Sequence, residues 1–236
     1  MTVTMRLILV LSFLFVFAPA RADDADTLTV DGTLYRLDGI DAPEKDQVCL
    51  NESGSVYPCG QLAIEALDQL IADRPVRCED LGPDRKYPSR HVGYCMVDAI
   101  DLHRWLVRNG WALNSEPYAH GRFKADEHHA EQHSLGMWKG CFVAPRDFRH
   151  WNKYTAPVLG PNCPGDARRK LFPAHALMPE GCEIKGKYAV RALLTGHRGI
   201  YHLPGCRSYQ RTKYVDRWFC SEDDAIAAGF RLSFTC

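Results

Sequence analysis

The sequence predicts an α+β protein, a small β-barrel carrying three helices, followed by a separate small cysteine-rich module. Two β-rich runs, Thr27 to Val30 and Thr33 to Leu37, are joined by Asp31-Gly32, a strong short-range signal for a tight hairpin. Segments with helical spacing then interleave with further strand-like runs, the pattern of an α+β layer. The charge also changes sign along the chain, with 14 basic against 22 acidic residues over 23–151 and 13 against 7 over 152–236. With 236 residues, 46% of them hydrophobic and 25% charged, the chain can bury a core and is not composed like a disordered polymer.

The first 22 residues read as a signal peptide. Arg6 precedes the apolar run LILVLSFLFVFA, and Ala20-Arg21-Ala22 has the small-x-small pattern of a cleavage site, so the mature chain is expected to begin at Asp23. An uncleaved membrane anchor is the alternative; after cleavage no membrane association is expected. Export to the periplasm or beyond suits ten cysteines, an even number, which pair in an oxidising compartment.

The barrel domain is placed at 23–151. Within it, Cys59 to Ala72 has apolar residues at 63, 64, 67, 70 and 71 and stops before Pro75, which predicts a helix. PVRCEDLG and RHVGYCMVD read as two strands around a polar loop. A second helix starts at the Asp101 cap of DLHRWLVRNG and stops at Gly110, and a third runs from about Lys124 to Leu135. Residues 152–181, rich in Pro and Gly and including Arg168-Arg169-Lys170, show little periodicity and read as a linker. The module at 182–236 holds four cysteines and the segment SEDDAIAAGF, with Ser221 and Asp224 forming a capping-box-like start and Gly229 a stop.

DADT at 24–27, RLDGIDAPE at 36–44, KYPSR at 86–90, LVRNGWA at 106–112 and LGMW at 135–138 occur in order. Together they resemble the successive motifs of the thermonuclease, or staphylococcal-nuclease-like, family over residues 24 to 151. The resemblance implies an OB-type barrel with three helices and a Ca²⁺-dependent nuclease cutting DNA or RNA with low sequence specificity. Phosphodiester hydrolysis needs cations on the phosphate and a carboxylate near the attacking water, and RLDGIDAPE offers both. By resemblance, Glu44 is the general base and Arg36 and Arg90 are the guanidiniums that grip the phosphate; Asp26, Asp41 and the Ala42 carbonyl are the Ca²⁺ ligands. The whole layout also resembles exported nuclease-like proteins found with succinoglycan exopolysaccharide genes, which implies a non-catalytic accessory role as an alternative. A nucleic-acid-binding module is another.

Two departures from the family pattern bear on catalysis. Tyr87-Pro88-Ser89-Arg90 is one residue longer than the family's Tyr-Gly-Arg, and only three residues separate Asp26 from the expected mature terminus. Asp38 and Asp46 match no family motif and read as caps or solvated charges. Tyr87 and Tyr118 are candidates for stacking on a base. His129 and His133 have a metal-compatible spacing on the third helix but no evident third ligand. Cys49–Cys59 and Cys78–Cys95 are expected disulfides from local geometry, and Cys206–Cys220 a further pairing, with Cys141, Cys163, Cys182 and Cys236 unassigned. IYHLPGC, RWFCSEDDAIAAGF and Cys236 loosely resemble small cysteine-rich modules that follow nuclease-like domains, and that resemblance implies, as the alternative to disulfides, a zinc site at His202, Cys206, Cys220 and Cys236. The basic tail is expected either to assist capture of a polyanion or to dock on the acidic body.

Overall fold

The computed structural model describes residues 20–173 and 178–236; the expected signal segment lies outside them except for its last three residues. Strands β1 (Arg21–Asp24), β2 (Thr27–Val30) and β3 (Thr33–Leu37) form an antiparallel meander. Asp31 and Gly32 both take positive φ, 49° and 81°, as a two-residue hairpin turn requires. The expected cleavage point after Ala22 falls inside β1, where Arg21 and Ala22 pair with Thr29 and Leu28.

Helix α1 (Cys59–Ile71) follows, burying Ala63, Ile64, Leu67 and Ile71 on one face. Strands β4 (Val76–Pro83) and β5 (His91–Val97) form an antiparallel pair, and β5 lies parallel to β3. The order β1-β2-β3-β5-β4 curls so that β2 also approaches β4. Helix α2 (Leu102–Arg108) begins at Asp101, whose carboxylate accepts from the Arg104 amide, and contributes Leu102, Leu106 and Val107 to the core between sheet and helices. Helix α3 (Lys124–Gln132) is polar on most of its surface.

The segment expected to be a linker is packed structure. After the short helix α4 (Pro145–Arg149), Val158–Leu159 pairs with Phe142–Val143 and α5 (Ala167–Leu171) follows. Ala156, Ala167, Leu171 and Phe172 form a second core with Leu50, Val143 and Phe148, and Cys163 is bonded to Cys141. Its apolar residues are spaced for neither a helix nor a strand, because they fill a seam between elements rather than one face of an element.

The C-terminal module is a four-stranded sheet of β6 (Ile184–Tyr188), β7 (Gly199–His202), β8 (Arg217–Phe219) and, after α6 (Glu222–Ala227), β9 (Phe230–Leu232), in the order β8-β6-β7-β9. The Ser221 and Asp224 capping box is present. Trp151 stacks on Tyr188, and Tyr188 meets Phe230 edge-on, so the module is packed against the body.

All ten cysteines are paired. Cys49–Cys59 and Cys78–Cys95 are as expected; Cys78 and Cys95 are direct register partners on β4 and β5. The expected Cys206–Cys220 bond is replaced by Cys206–Cys236 and Cys182–Cys220. Pairing Ile184 with Phe219 sets Cys182 beside Cys220, a meeting decided by sheet order rather than by spacing in the chain. These bonds leave no thiolate for zinc at His202, whose Nδ1 is hydrogen-bonded to Ser208 instead. Five disulfides fit an oxidising compartment such as the periplasm or the cell exterior. Among the described residues no helix is long and apolar enough to cross a membrane.

Candidate active site

The loop from Asp41 to Gln47 is held from three sides. The Gln47 side chain is buried, donating to the Val143 carbonyl and accepting from the Glu44 amide. The first turn of α1 lies directly on the loop: a Cβ at Gly60 would sit 2.0 Å from the Glu44 carbonyl oxygen, so glycine is required there. Asp41 accepts from the Arg146 amide at the start of α4, which delivers Arg149 to the same place. A turn rich in acids thereby becomes a rigid wall.

The side chains on this wall form one network. Arg36, on β3, pairs through Nη2 with Asp26 at 2.9 Å and lies 3.9 Å from Asp41. Arg149 bonds Asp41 through Nη2 and Glu44 through Nη1, the latter at 3.1 Å. Arg217, on β8, is 1% exposed; it grips Asp46 with two bonds of 2.7 and 2.8 Å and lies 3.5 Å from the second oxygen of Glu44. Phe148 and Phe219 lie against its guanidinium. The expected site residues Arg36, Asp26, Asp41 and Glu44 are therefore together, and Ala42 is buried in the same turn. Asp26 is 4% exposed, accepts from the Thr27 hydroxyl and pairs with Arg36, so its side chain is held in place.

Three of the expected residues make contacts outside this network. Arg90 donates to Asp84 through Nε and Nη2, at 3.2 and 2.7 Å, because the longer Tyr87–Arg90 turn folds back on Asp84, which also accepts from the amides of Lys86 and Tyr87. Tyr87 is half-buried with Arg90 and Lys86 over its ring. Tyr118 is 67% exposed on a separate short helix, Glu116–Ala119. The rings of His129 and His133 do lie against each other, tilted by 31°, but among the described residues no three His, Cys, Asp or Glu side chains form a metal cluster. Of the two unmatched acids, Asp38 pairs with Arg122, whereas Asp46 is the buried anchor of Arg217. Arg149 and Arg217 were not marked by any motif; only the tertiary fold brings them to Glu44.

The acids outnumber their partners. Burial is the main cause raising the carboxyls of Asp24, Asp41 and Glu44 above their ordinary values. Glu44 and Asp26 add repulsion at Asp24, while Arg149 opposes the rise at Asp41 and Glu44 and Arg217 opposes it at Glu44. Burial is the largest single influence on Arg36 and works against its charge, but Asp26, Asp41 and Glu44 together outweigh it and the group is held more firmly protonated than usual. Arg149 is raised likewise, chiefly by Glu44 and Asp41. Counted together, the five carboxylates Asp24, Asp26, Asp41, Glu44 and Asp46 face the three guanidiniums of Arg36, Arg149 and Arg217, which leaves a local excess of negative charge.

Residues 35–140 match the family model for Staphylococcal nuclease homologues. The chain is also 36% identical over 126 residues to the Succinoglycan biosynthesis protein ExoI of Rhizobium meliloti (strain 1021). That alignment covers 52% of this chain and 65% of the relative, less than two thirds of its length. The family match contains Arg36, Asp41 and Glu44; Asp26 precedes it, and Arg149 and Arg217 follow it.

Proposed function

We propose that the chain is an exported phosphodiester hydrolase of the nuclease type, acting on DNA or RNA with low sequence specificity, in which Arg149 takes the role expected of Arg90. The observation that carries this reading is the pair of guanidiniums, Arg36 and Arg149, converging on Asp26, Asp41 and Glu44. Forked donors of this kind match a phosphate as well as they match a carboxylate. A phosphate entering between them would offer each guanidinium a new anion and release the carboxylates they now hold. Glu44, freed on the oxygen that faces Arg149, would take the proton of the attacking water. Its raised pKa supports that role, since a base works best when its pKa lies near the working pH.

Calcium fits the donor chemistry. Arg36 Nη2 reaches both Asp26 and Asp41, so these two carboxylates lie close enough to share a hard divalent cation, and they and the Ala42 carbonyl would hold it, with waters completing a flexible shell. Bound there, it would supply positive charge to the phosphate oxygens. The test is incubation of the oxidised full chain with single-stranded DNA in Ca²⁺ or in chelator, beside Glu44→Gln. The parent is expected to cut only with Ca²⁺, and the variant to lose on the order of 10²–10⁴ in rate. Equal cutting by both would remove the base assignment.

A second reading is a nuclease-like accessory protein in exopolysaccharide production. The name of the relative favours it, and so does Arg217, which reaches Glu44 from the C-terminal module and ties down the oxygen that Arg149 leaves free. Absence of cutting by the parent under both conditions would favour this reading.

A further inference from the structure

Away from the acidic wall, the C-terminal module contains a cavity of about 820 Å³ between the end of β6, the strand β7 and the loop before β8. Lys187, Arg191, Arg211, Lys213 and Arg231 line it, and no Asp or Glu side chain does. Lys187 is paired with Asp216, and Arg231 bonds the Thr195 hydroxyl. Arg191, Arg211 and Lys213 are exposed and make no ion pair among the described residues. Three cations without a carboxylate partner around one concavity give it a positive face that would attract an anion. His202, at the floor, is held below its ordinary pKa by burial first and then by Arg191 and Lys185, as expected where the local potential is positive.

The rim adds an aromatic surface. Phe234 is 83% exposed, and the Arg231 guanidinium lies 3.8 Å from its ring centroid. A cation with a solvent-facing ring beside it is the pairing that single strands use, phosphate on the charge and base on the ring. The volume suits one or two nucleotides. We propose that this cavity is a second site for the hydrolase, holding the phosphodiesters of a single nucleic-acid strand on Arg191, Arg211 and Lys213, with a base stacked on Phe234. The polymer's identity rests on the nuclease reading; the presence of an anion site does not.

The test uses the full chain in chelator, where nothing is cut, and reads the fluorescence anisotropy of a labelled short oligothymidylate over a range of salt. Combining Arg191→Ala, Arg211→Ala and Lys213→Ala, all at exposed positions, is expected to weaken binding at least tenfold. It should also make the slope of log affinity against log salt shallower by about two units for three lost contacts. Phe234→Ala is expected to weaken binding about fivefold or more and leave the slope unchanged, because stacking displaces no counterions. Unchanged affinity and slope in the folded triple variant would overturn the proposal. So would tighter binding of an acidic polysaccharide than of the oligonucleotide, lost in the same variant, which would give the cavity to glycan carboxylates. Failure of the cutting assay alone leaves these binding outcomes as they stand.

Discussion

The wall around Glu44 and the cavity around Arg211 are opposite in charge, and they treat their charges differently. In the body, an excess of carboxylates is partly neutralised by arginines brought from three separate elements, β3, α4 and β8. In the module, several cations are left facing solvent with no carboxylate among them. One arginine of the basic tail, Arg217, is spent on docking; the cations around the cavity are not. Net charge along the chain therefore says little about where a polyanion binds. What decides is which charges already have partners.

The strongest way to break the contrast is to remove its shared arginine. Arg217→Ala leaves Asp46 buried without its cation, and a loss of about 3–5 kcal/mol in unfolding free energy is expected, read by urea denaturation of the oxidised protein. A loss below about 1 kcal/mol would mean that the module is not anchored through this pair.

Next in size is a comparison of two arginines in the cutting assay. Arg149→Lys keeps the charge but loses the fork, and a fall of about 10- to 100-fold in kcat/KM is expected. Arg90→Lys, which alters a contact with Asp84, should change it by less than about threefold. The reverse order would return the phosphate contact to Arg90.

The smallest effect concerns pH. The Asp24 carboxyl is raised well above its ordinary 3.8 by burial and by Glu44 and Asp26, so its ionisation in the folded state costs stability. That cost is present above the raised value and disappears as pH falls toward 3.8, where folded and unfolded carboxyls are both protonated. Asp24→Asn, which carries no charge at any pH, is therefore expected to raise Tm at neutral pH in chelator, with the gain shrinking to nothing in acid. A gain that persisted at pH 3 would point to a cause other than ionisation.

What the sequence by itself determined is local. Asp31-Gly32 sets the hairpin because only positive φ closes a two-residue turn with the right twist. Helical spacing sets α1, and the Ser221 and Asp224 box starts α6. Cys78 and Cys95 were legible because a strand pair puts them opposite each other. That Arg36, Asp41 and Glu44 come together follows from the sequence because they lie within nine residues of one another.

Only the tertiary structure decided the rest. Arg149 meets Asp41 across 108 positions and Arg217 meets Asp46 across 171, distances over which no periodicity carries information. The packing of Ala156, Ala167, Leu171 and Phe172, and the pairing of Cys182 with Cys220, depend on which surfaces remain uncovered once the barrel has formed. Backbone propensity acts over a few residues, whereas the partner of a buried charge is chosen by the whole fold, since it must be whichever opposite charge the packing brings within reach.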